Sequence, residues 1–178
     1  MSGISNLINH ITLPRFVKAH QIFEHNEISQ EEILKKLNDG FKNPEIAGKI
    51  KPGQRICITC GSRGVSNMTF VTKALVDYVK SVGAEPFLIP AMGSHGGATA
   101  EGQVEILKSL GITEESMGCP ILSSMEVVKI SHVDDFDVCI DKHAYEADGI
   151  IALNRVKAHT SFQGPYESGV MKMLTIGI

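Results

Sequence analysis

The middle of the chain alternates between short apolar runs and amphipathic stretches. Arg55–Cys60 (RICITC) and Glu85–Ala91 (EPFLIPA) are nearly continuous apolar runs, typical of strands that are buried on both faces of a parallel sheet. Each run is followed by a stretch with helical periodicity, from about residue 67 to 82 and from about 101 to 110. The order strand, helix, strand, helix with short connections predicts a parallel sheet with right-handed crossovers.

Local signals predict where the helices begin and end. Ser66 is the expected N-cap of the first of these helices, and Gly83 and Gly111 are expected to end the two helices. Nearer the N-terminus, Ser29 followed by Glu32 predicts a further helix that begins with a capping box.

Strand-like segments flank this region on both sides. RFVKAHQIF, Arg15–Phe23, is a possible strand near the N-terminus. Further strands are predicted at Met125–Val133, Asp137–Tyr145 and Gly149–His159. The predicted fold class is therefore α/β, with a mostly parallel sheet and helices on both faces.

The length and composition suit one globular domain, or one domain with an appended lobe. The chain has 178 residues, 43% of them hydrophobic and 21% charged, with a formal net charge of -3. We expect a lobe at residues 1–50 that packs on a main α/β domain at residues 51–178. The scattered basic residues predict neither a nucleic-acid nor a membrane partner, no apolar run approaches the roughly 20 residues of a spanning helix, and we expect a cytoplasmic location.

The four cysteines are too few and too irregularly spaced for a disulfide framework, so we expect reduced thiols. Cys57 and Cys60 form a CxxC, but both belong to an apolar run and no second CxxC exists in the sequence. We interpret Cys57 as a packing residue. Cys60, at the end of the run, is placed to border a site.

Three glycine-containing loops follow predicted strands, at residues 61–66, 93–99 and 159–169. Ligands of open parallel sheets bind beyond the carboxyl ends of the strands, so we expect these loops to converge on one site. The candidate side chains in or just beyond the loops are Ser62, Arg63, His95, His159 and Lys172. Together they would supply an anion binder, two imidazoles and an amine.

Each candidate also has a simpler interpretation. The CGSRG loop could bind phosphate through backbone N–H groups and Arg63, or it could be only a turn. His95 lies among glycines that let a ligand approach the backbone, and His159 ends a strand; both are better explained by function than by packing. Lys172 begins an apolar stretch, where its amine either reaches the surface or is used chemically.

The other histidines are interpreted as surface or structural residues, because they lie outside the glycine-rich loops and lack partners at metal-ligand spacing: His10, His20, His25, His132 and His143. A zinc hydrolase built on His95 and His159 is the less favoured alternative, because no supporting carboxylate or cysteine ligands stand at a recognisable spacing.

The motifs GSRGVSN, MGSHGG and NRVKAHTSFQGPYESGVMKMLTIGI together resemble the N-terminal domain of the nickel-dependent lactate racemase family, in particular its broad branch of homologues. The resemblance spans about Lys51 to Ile178 and is strongest in the last of these motifs. It implies a Rossmann-like N-terminal domain that binds a cofactor.

The resemblance also implies a chemistry. Members of this family use a nickel pincer nucleotide, nickel-pyridinium-3,5-bisthiocarboxylate mononucleotide, and Lys172 in GVMKML falls where it would be attached covalently. A racemase or epimerase of small 2-hydroxy acids is implied, in which hydride passes from the α-carbon to the cofactor and returns to the opposite face. The motifs place His95 and His159 as the two alternating bases on the substrate hydroxyl, and imidazole exchanges protons near neutral pH.

The resemblance assigns the CGSRG loop, Cys60, Gly61, Ser62 and Arg63, to cofactor binding, with Arg63 placed for a phosphate or for the substrate carboxylate. One departure from the family pattern lies at the start of this loop, where Cys60 replaces an expected acidic residue. The departure bears on how the nucleotide is bound, and on the substrate.

A second departure concerns the metal. In the family the histidine that ligates nickel lies beyond the attachment lysine, and a second domain closes over the cofactor, so no residue of this chain is assigned as a nickel ligand. The chain ends inside the apolar run MLTIGI, from which we expect a truncated chain that is inactive alone, a missing C-terminal domain as its partner, and possible homo-oligomerisation. The alternative function is a non-catalytic nucleotide or phosphate-binding domain that retains the fold.

Overall fold

The computed structural model describes residues 15–22, 27–158 and 163–178. Its helices are α1 (Gln30–Phe41), α2 (Met68–Ser81), α3 (Ala100–Ser109), and the short α4 (Glu114–Met117), α5 (Lys142–Tyr145) and α6 (Val170–Lys172). Its strands are β1 (Arg55–Cys60), β2 (Glu85–Pro90), β3 (Val127–Val133), β4 (Phe136–Asp141) and β5 (Gly149–Ile151). A 3₁₀ turn, Gly96–Ala98, precedes α3, and a π-helical turn, Met173–Gly177, follows α6.

The central sheet is parallel, with strand order β2-β1-β5, as the apolar runs predict. Cys57 of β1 pairs with Phe87 of β2 on one side and with Ile150 of β5 on the other. Five consecutive residues are buried in both β1 and β2, because neighbouring elements cover both faces of these strands. The predicted bounds of β1 are confirmed, and those of β2, α2 and α3 are correct to within one residue.

Helices cover both faces of the sheet, which confirms the predicted α/β class. On one face, Ile58 and Leu88 pack with Val76 of α2 and Leu107 of α3. On the other face, the set of packed side chains comprises Cys57, Phe87, Ile89, Ala144 of α5, Ile140 of β4 and Ile178. No helix within the described ranges is both long and apolar enough to cross a membrane.

The helix ends follow local chemistry. Gly83 has φ +80°, and its N–H and that of Ala84 donate to the carbonyls of Lys80 and Val79 at 2.9 and 3.1 Å, which confirms the predicted glycine stop. Gly111 ends α3 in the same way. Ser29 caps α1 as predicted, since its hydroxyl accepts from the Glu32 N–H at 3.2 Å, but the reciprocal capping-box bond is not formed between these two described residues and the Glu32 carboxylate lies 3.6 Å from the Lys36 amine.

The predicted N-cap at Ser66 is wrong. The residue before α2 is Asn67, which has a left-handed backbone (φ 60°) and makes no side-chain capping hydrogen bond. The chain enters the helix through a turn closed by the Met68 N–H, which donates to the Val65 carbonyl at 3.0 Å. This turn holds the start of α2, and no side chain caps it.

Two predicted strands are shorter than expected. Asp137–Tyr145 is wrong beyond Asp141, because the Asp141 carboxylate accepts from the Ala144 N–H at 3.0 Å and begins α5. β4 pairs with β3 in an antiparallel hairpin, whose first predicted residues, Met125 and Glu126, lie outside the ladder. Beyond Asp141 the apolar pattern continues because Ala144 of α5 is buried, whereas Met125, before β3, is half exposed.

The predicted strand Gly149–His159 pairs only over Gly149–Ile151. The Leu153 N–H then donates to the side-chain hydroxyl of Thr59, at 3.0 Å, and so leaves the backbone ladder. Residues 152–158 have no regular structure, and His159 lies outside the described residues.

The possible strand at Arg15–Phe23 is wrong over residues 15–22, which have no regular structure; Phe23 lies outside the described residues. Phe16 is 90% exposed, so its apolar side chain finds no sheet to cover it. Further along the lobe, the ring of Phe41 in α1 stacks on Tyr78 of α2 with centroids 3.6 Å apart. The division into a lobe at 1–50 and a domain at 51–178 stays a prediction.

Candidate active site

The carboxyl ends of the parallel strands open onto one edge of the sheet. Cys60 and Pro90 are paired at the ends of β1 and β2, and the Ala91 N–H donates to the Cys60 carbonyl at 2.8 Å. The bond between Leu153 and the Thr59 hydroxyl brings the chain after β5 to the same edge. The loops after β1 and β2 therefore begin side by side, as the parallel topology requires.

The loop after β1 presents unused backbone donors. None of the N–H groups from Gly61 to Asn67 donates to a protein acceptor in the part of the chain that the structure describes. Arg63 is exposed and its guanidinium has no protein partner there either, while Ser62 is half-buried. A Cβ at Gly61 would meet nothing within 4 Å. Free N–H groups beside a guanidinium and an uncapped helix start suit an anionic ligand.

The side chain of Cys60 is buried, unlike the residues of the loop that follows it. Its side chain is 1% exposed within the core, and burial, with a smaller contribution from Cys119, raises the pKa of the thiol to about 12. The thiol is therefore neutral at physiological pH and faces the core. Only the backbone carbonyl of Cys60 takes part in the sheet edge, where it accepts from the Ala91 N–H. A contact between Cys60 and a cofactor stays a prediction.

A cleft of 460 Å³ opens beside the start of α2. Val65 and Asn67 from the loop line it, together with Lys73 of α2 and Ser116 of α4. The cleft continues the polar surface of the loop after β1, so an anionic group held at the loop would have room beside it.

The loop after β2 fixes the orientation of His95. The ring Nδ1 of His95 lies 2.7 Å from the carbonyl oxygen of Met92, and the backbone N–H of His95 donates to the same oxygen at 3.3 Å. Because a carbonyl can only accept, Nδ1 carries the proton and Nε2 of the neutral ring keeps its lone pair. His95 is exposed, so Nε2 is available as a proton acceptor.

The two glycines after His95 have different roles. A Cβ at Gly96 would lie 2.5 Å from the carbonyl carbon of Gly102, so Gly96 is needed for close packing of the loop on α3. A Cβ at Gly97 would meet nothing within 4 Å. Both have a left-handed backbone, with φ +67° and +68°, which favours glycine. Only Gly97 leaves open space at the surface.

The segment that carries Lys172 lies against the His95 loop. A Cβ at Gly93 would be 3.1 Å from the carbonyl oxygen of Ile176, and one at Gly177 would be 3.1 Å from that of Ala91. Met173 is 4% exposed and anchors the segment. Lys172 is exposed and stands about one helical turn before Ile176. Its side-chain amine forms no hydrogen bond or ion pair with the described residues.

Two hydrogen bonds join the two ends of the connection that precedes the segment with Lys172. The Asn154 side-chain amide donates to the Gly169 carbonyl at 2.7 Å, and the Lys157 N–H donates to the Ser168 hydroxyl at 2.8 Å. His159 belongs to this connection but lies outside the described residues, so its role stays a prediction.

Sequence reasoning missed one buried residue near the site. Gln103 of α3 is 5% exposed, and its amide nitrogen donates to the Gly93 carbonyl at 2.8 Å. The available signal was a polar residue four positions before the buried Leu107, on the apolar face of an amphipathic helix. No three His, Cys, Asp or Glu side chains gather as a metal site within residues 15–22, 27–158 and 163–178.

The structure thus defines an α/β domain whose candidate site residues from the His95 loop and the loop after β1 lie at the carboxyl edge of its parallel sheet. A model of the lactate racemase N-terminal domain matches residues 5–178, almost the whole chain. The chain belongs to the lactate racemase family, whose activity is that of an isomerase, and the predicted resemblance is confirmed. Comparisons with curated proteins and with solved structures gave no match.

Proposed function

We propose that this domain binds the cofactor of an enzyme that racemises or epimerises small 2-hydroxy acids. The observation that carries the proposal is the contact of Gly93 with Ile176, because it brings the His95 loop and the Lys172 segment to one place at the sheet edge. A proton acceptor and an unpaired amine in neighbouring segments are what a base and a covalent attachment point require.

The side chains at this edge fit a nickel pincer nucleotide. The exposed amine of Lys172 has no ion pair or hydrogen bond with the described residues and can form the covalent link. Free N–H groups at Gly61 and Ser62, with the guanidinium of Arg63, suit the nucleotide phosphate. When bound, the cofactor would supply the acceptor for the α-hydrogen of the substrate as hydride.

The residues of this chain handle protons and charge. His95 accepts the proton of the substrate hydroxyl at Nε2, which the Met92 carbonyl leaves unprotonated by bonding Nδ1–H. His159 is proposed as the base for the opposite enantiomer. Arg63 pairs with the nucleotide phosphate or with the substrate carboxylate, since a guanidinium binds either group with two parallel hydrogen bonds. A second domain of the protein is proposed to supply the nickel ligand.

A non-catalytic nucleotide or phosphate-binding domain is the second candidate. The free N–H groups of the loop after β1 favour it, because anion binding needs only that loop and no base. In that case, His95 and Lys172 would be dispensable for ligand binding.

The test is to co-express the protein, in its natural reading frame, with the enzymes that make the cofactor, and to measure intact mass. We expect an added mass of one nucleotide less the water lost when the amine condenses with its acyl arm; the adduct disappears in Lys172→Ala and persists in Lys35→Ala, a control that replaces an exposed lysine of α1. An unmodified protein, or an adduct that survives Lys172→Ala, would contradict the covalent attachment.

Racemisation of a panel of 2-hydroxy acids separates the two candidates. We expect His95→Ala and His159→Ala each to reduce turnover by about 10²-fold or more, the usual contribution of a positioned base, while the nucleotide adduct is kept. Nucleotide binding without turnover on any acid of the panel would favour the non-catalytic domain.

A further inference from the structure

Gln103 is a polar residue where an apolar one is expected. It lies on α3 four residues before Leu107, which is 0% exposed, and both face the interior. Thr59, Thr72 and Gln103 are the buried polar side chains among the described residues. A buried amide without a hydrogen-bond partner costs about 1–3 kcal/mol, so the position of Gln103 requires a specific partner.

The partner of Gln103 is distant from its own helix. Its Nε2 donates to the Gly93 carbonyl at 2.8 Å, ten residues earlier in the chain. The Thr72 hydroxyl, by contrast, donates to Met68 of the same helix at 2.9 Å. Of these two bonds, only that of Gln103 fixes a loop, and that loop carries His95.

Gly93 lies between both candidate functional segments. Its carbonyl accepts from Gln103, and its α-carbon faces Ile176 of the segment that carries Lys172, where a Cβ would be 3.1 Å from the Ile176 oxygen. The preceding carbonyl, that of Met92, accepts from Nδ1 of His95 at 2.7 Å. Any rotation of the backbone at Met92 and Gly93 would therefore move the acceptor that orients the imidazole.

We infer that Gln103 is a positioning residue: through the Gly93 carbonyl it holds the backbone that keeps the His95 proton on Nδ1 and leaves Nε2 free. Among the described residues, Gln103 forms no hydrogen bond with the His95 ring or the Lys172 amine, so it acts through Met92 and Gly93. The inference deepens the proposed function and rests on it only for the role of Nε2 as the base.

The test replaces the amide without changing the length of the side chain. In Gln103→Met, ¹⁵N NMR of the imidazoles, assigned with His95→Ala, should show loss of the single Nδ1–H form of neutral His95 and the appearance of the Nε2–H form. In the cofactor-loaded enzyme we expect kcat to fall on the order of tenfold with little change in KM, within the roughly 10²- to 10⁴-fold contribution of a positioned base.

Thr72→Val is the matched control, because it also removes a buried hydrogen-bonding group, in this case a hydroxyl whose bond stays within α2. It should lower the thermal midpoint to a similar extent and leave the His95 spectrum unchanged. Unchanged His95 signals in Gln103→Met, or equal changes in both variants, would mean that Gln103 only stabilises the fold.

A measurement on the unaltered protein applies even if Gln103→Met does not fold. The side-chain amide protons of Gln103 should exchange slowly with solvent, as buried and bonded donors do; rapid exchange would overturn the inference. The imidazole spectrum is independent of turnover. A tautomer change in an enzyme that racemises nothing would therefore refute the proposed function and leave the positioning role intact.

Discussion

The parallel sheet and the antiparallel hairpin are both rich in apolar residues, yet they differ in burial. Five of the six residues in β1 are buried, whereas six of the seven in β3 are exposed. The sheet has packed side chains on both faces, and the hairpin rests on the domain mainly at Ile140. The loop with His95 follows β2, so the base proposed there is carried by a strand that is packed on both faces.

The hairpin is held by contacts between its own strands. Phe136, Val138 and Ile140 share one face, while Asp137 lies on the other, where its carboxylate is 2.6 Å from both the Lys129 amine and His132 Nδ1. These contacts close within a few residues of the turn. The sheet, in contrast, depends on segments that are far apart in sequence, and a change there should be felt by the whole domain.

The largest expected difference comes from removing one apolar side chain from each region. Ile58→Ala, at a fully buried position of β1, should lower the free energy of unfolding by about 3–4 kcal/mol. Val138→Ala in the hairpin, 36% exposed, should cost less than about 1 kcal/mol. Urea unfolding followed by circular dichroism measures both. Equal costs would mean that the hairpin is buried in solution.

An intermediate effect is expected from the buried thiols at high pH. Burial, with a smaller effect of the Asp141 charge, raises the pKa of Cys57 from 9.0 to about 12. The unfolded chain therefore releases this proton first, so the stabilising contribution is complete below pH 9 and is lost as the pH rises towards 12. Between about pH 8 and pH 10, Cys57 should account for a loss on the order of 1 kcal/mol.

Urea unfolding of Cys57→Ala at both pH values measures this contribution. The variant starts from a lower stability but should lose on the order of 1 kcal/mol less than the unaltered protein over that interval. Cys139→Ala, at an exposed position of the hairpin, is the control and should follow the pH dependence of the unaltered protein. An equal loss of stability between the two pH values in all three proteins would contradict the assignment of this pH dependence to Cys57.

The smallest effect is expected at the surface ion pairs of the hairpin. Hydrogen bonds from Lys129 and then His132 lower the pKa of Asp137. A carboxylate with a lowered pKa stabilises the folded state at neutral pH, and this stabilisation is lost on acidification. Asp137 is exposed, so water screens its ion pairs and the contribution is small. Asp137→Asn should leave the urea midpoint at neutral pH unchanged within error. NMR titration of Asp137 should show the lowered pKa, moving towards its usual value in added salt.

Local sequence determines a large part of the fold. The bounds of β1 and the ends of α2 and α3 were predictable because apolar runs and stop glycines such as Gly83 act within one or two turns of chain. The strand predicted at Arg15–Phe23 is wrong over residues 15–22, and β5 is shorter than predicted. Both errors arise because a strand forms only against a partner strand, and β5 pairs with β1, which lies about ninety residues earlier in the chain. Asp141 changed the end of β4 through a cap that the apolar pattern conceals.

The placement of the His95 loop at the sheet edge was predictable, but its contacts were not. The loop with His95 lies at the expected sheet edge, and the segment with Lys172 lies against it. The bond from His95 to the Met92 carbonyl and the contribution of Gln103 depend on α3 packing against the loop, which no local motif specifies.

By itself, the sequence determined the α/β class, the glycine stops and membership of the lactate racemase family, because short-range propensities and family motifs are properties of neighbouring residues. Only the tertiary structure decided which apolar strands are buried, which nitrogen of His95 carries the proton and which segment meets Gly93. These features depend on contacts between residues far apart in the chain, and such contacts exist only once the sheet has brought its loops together.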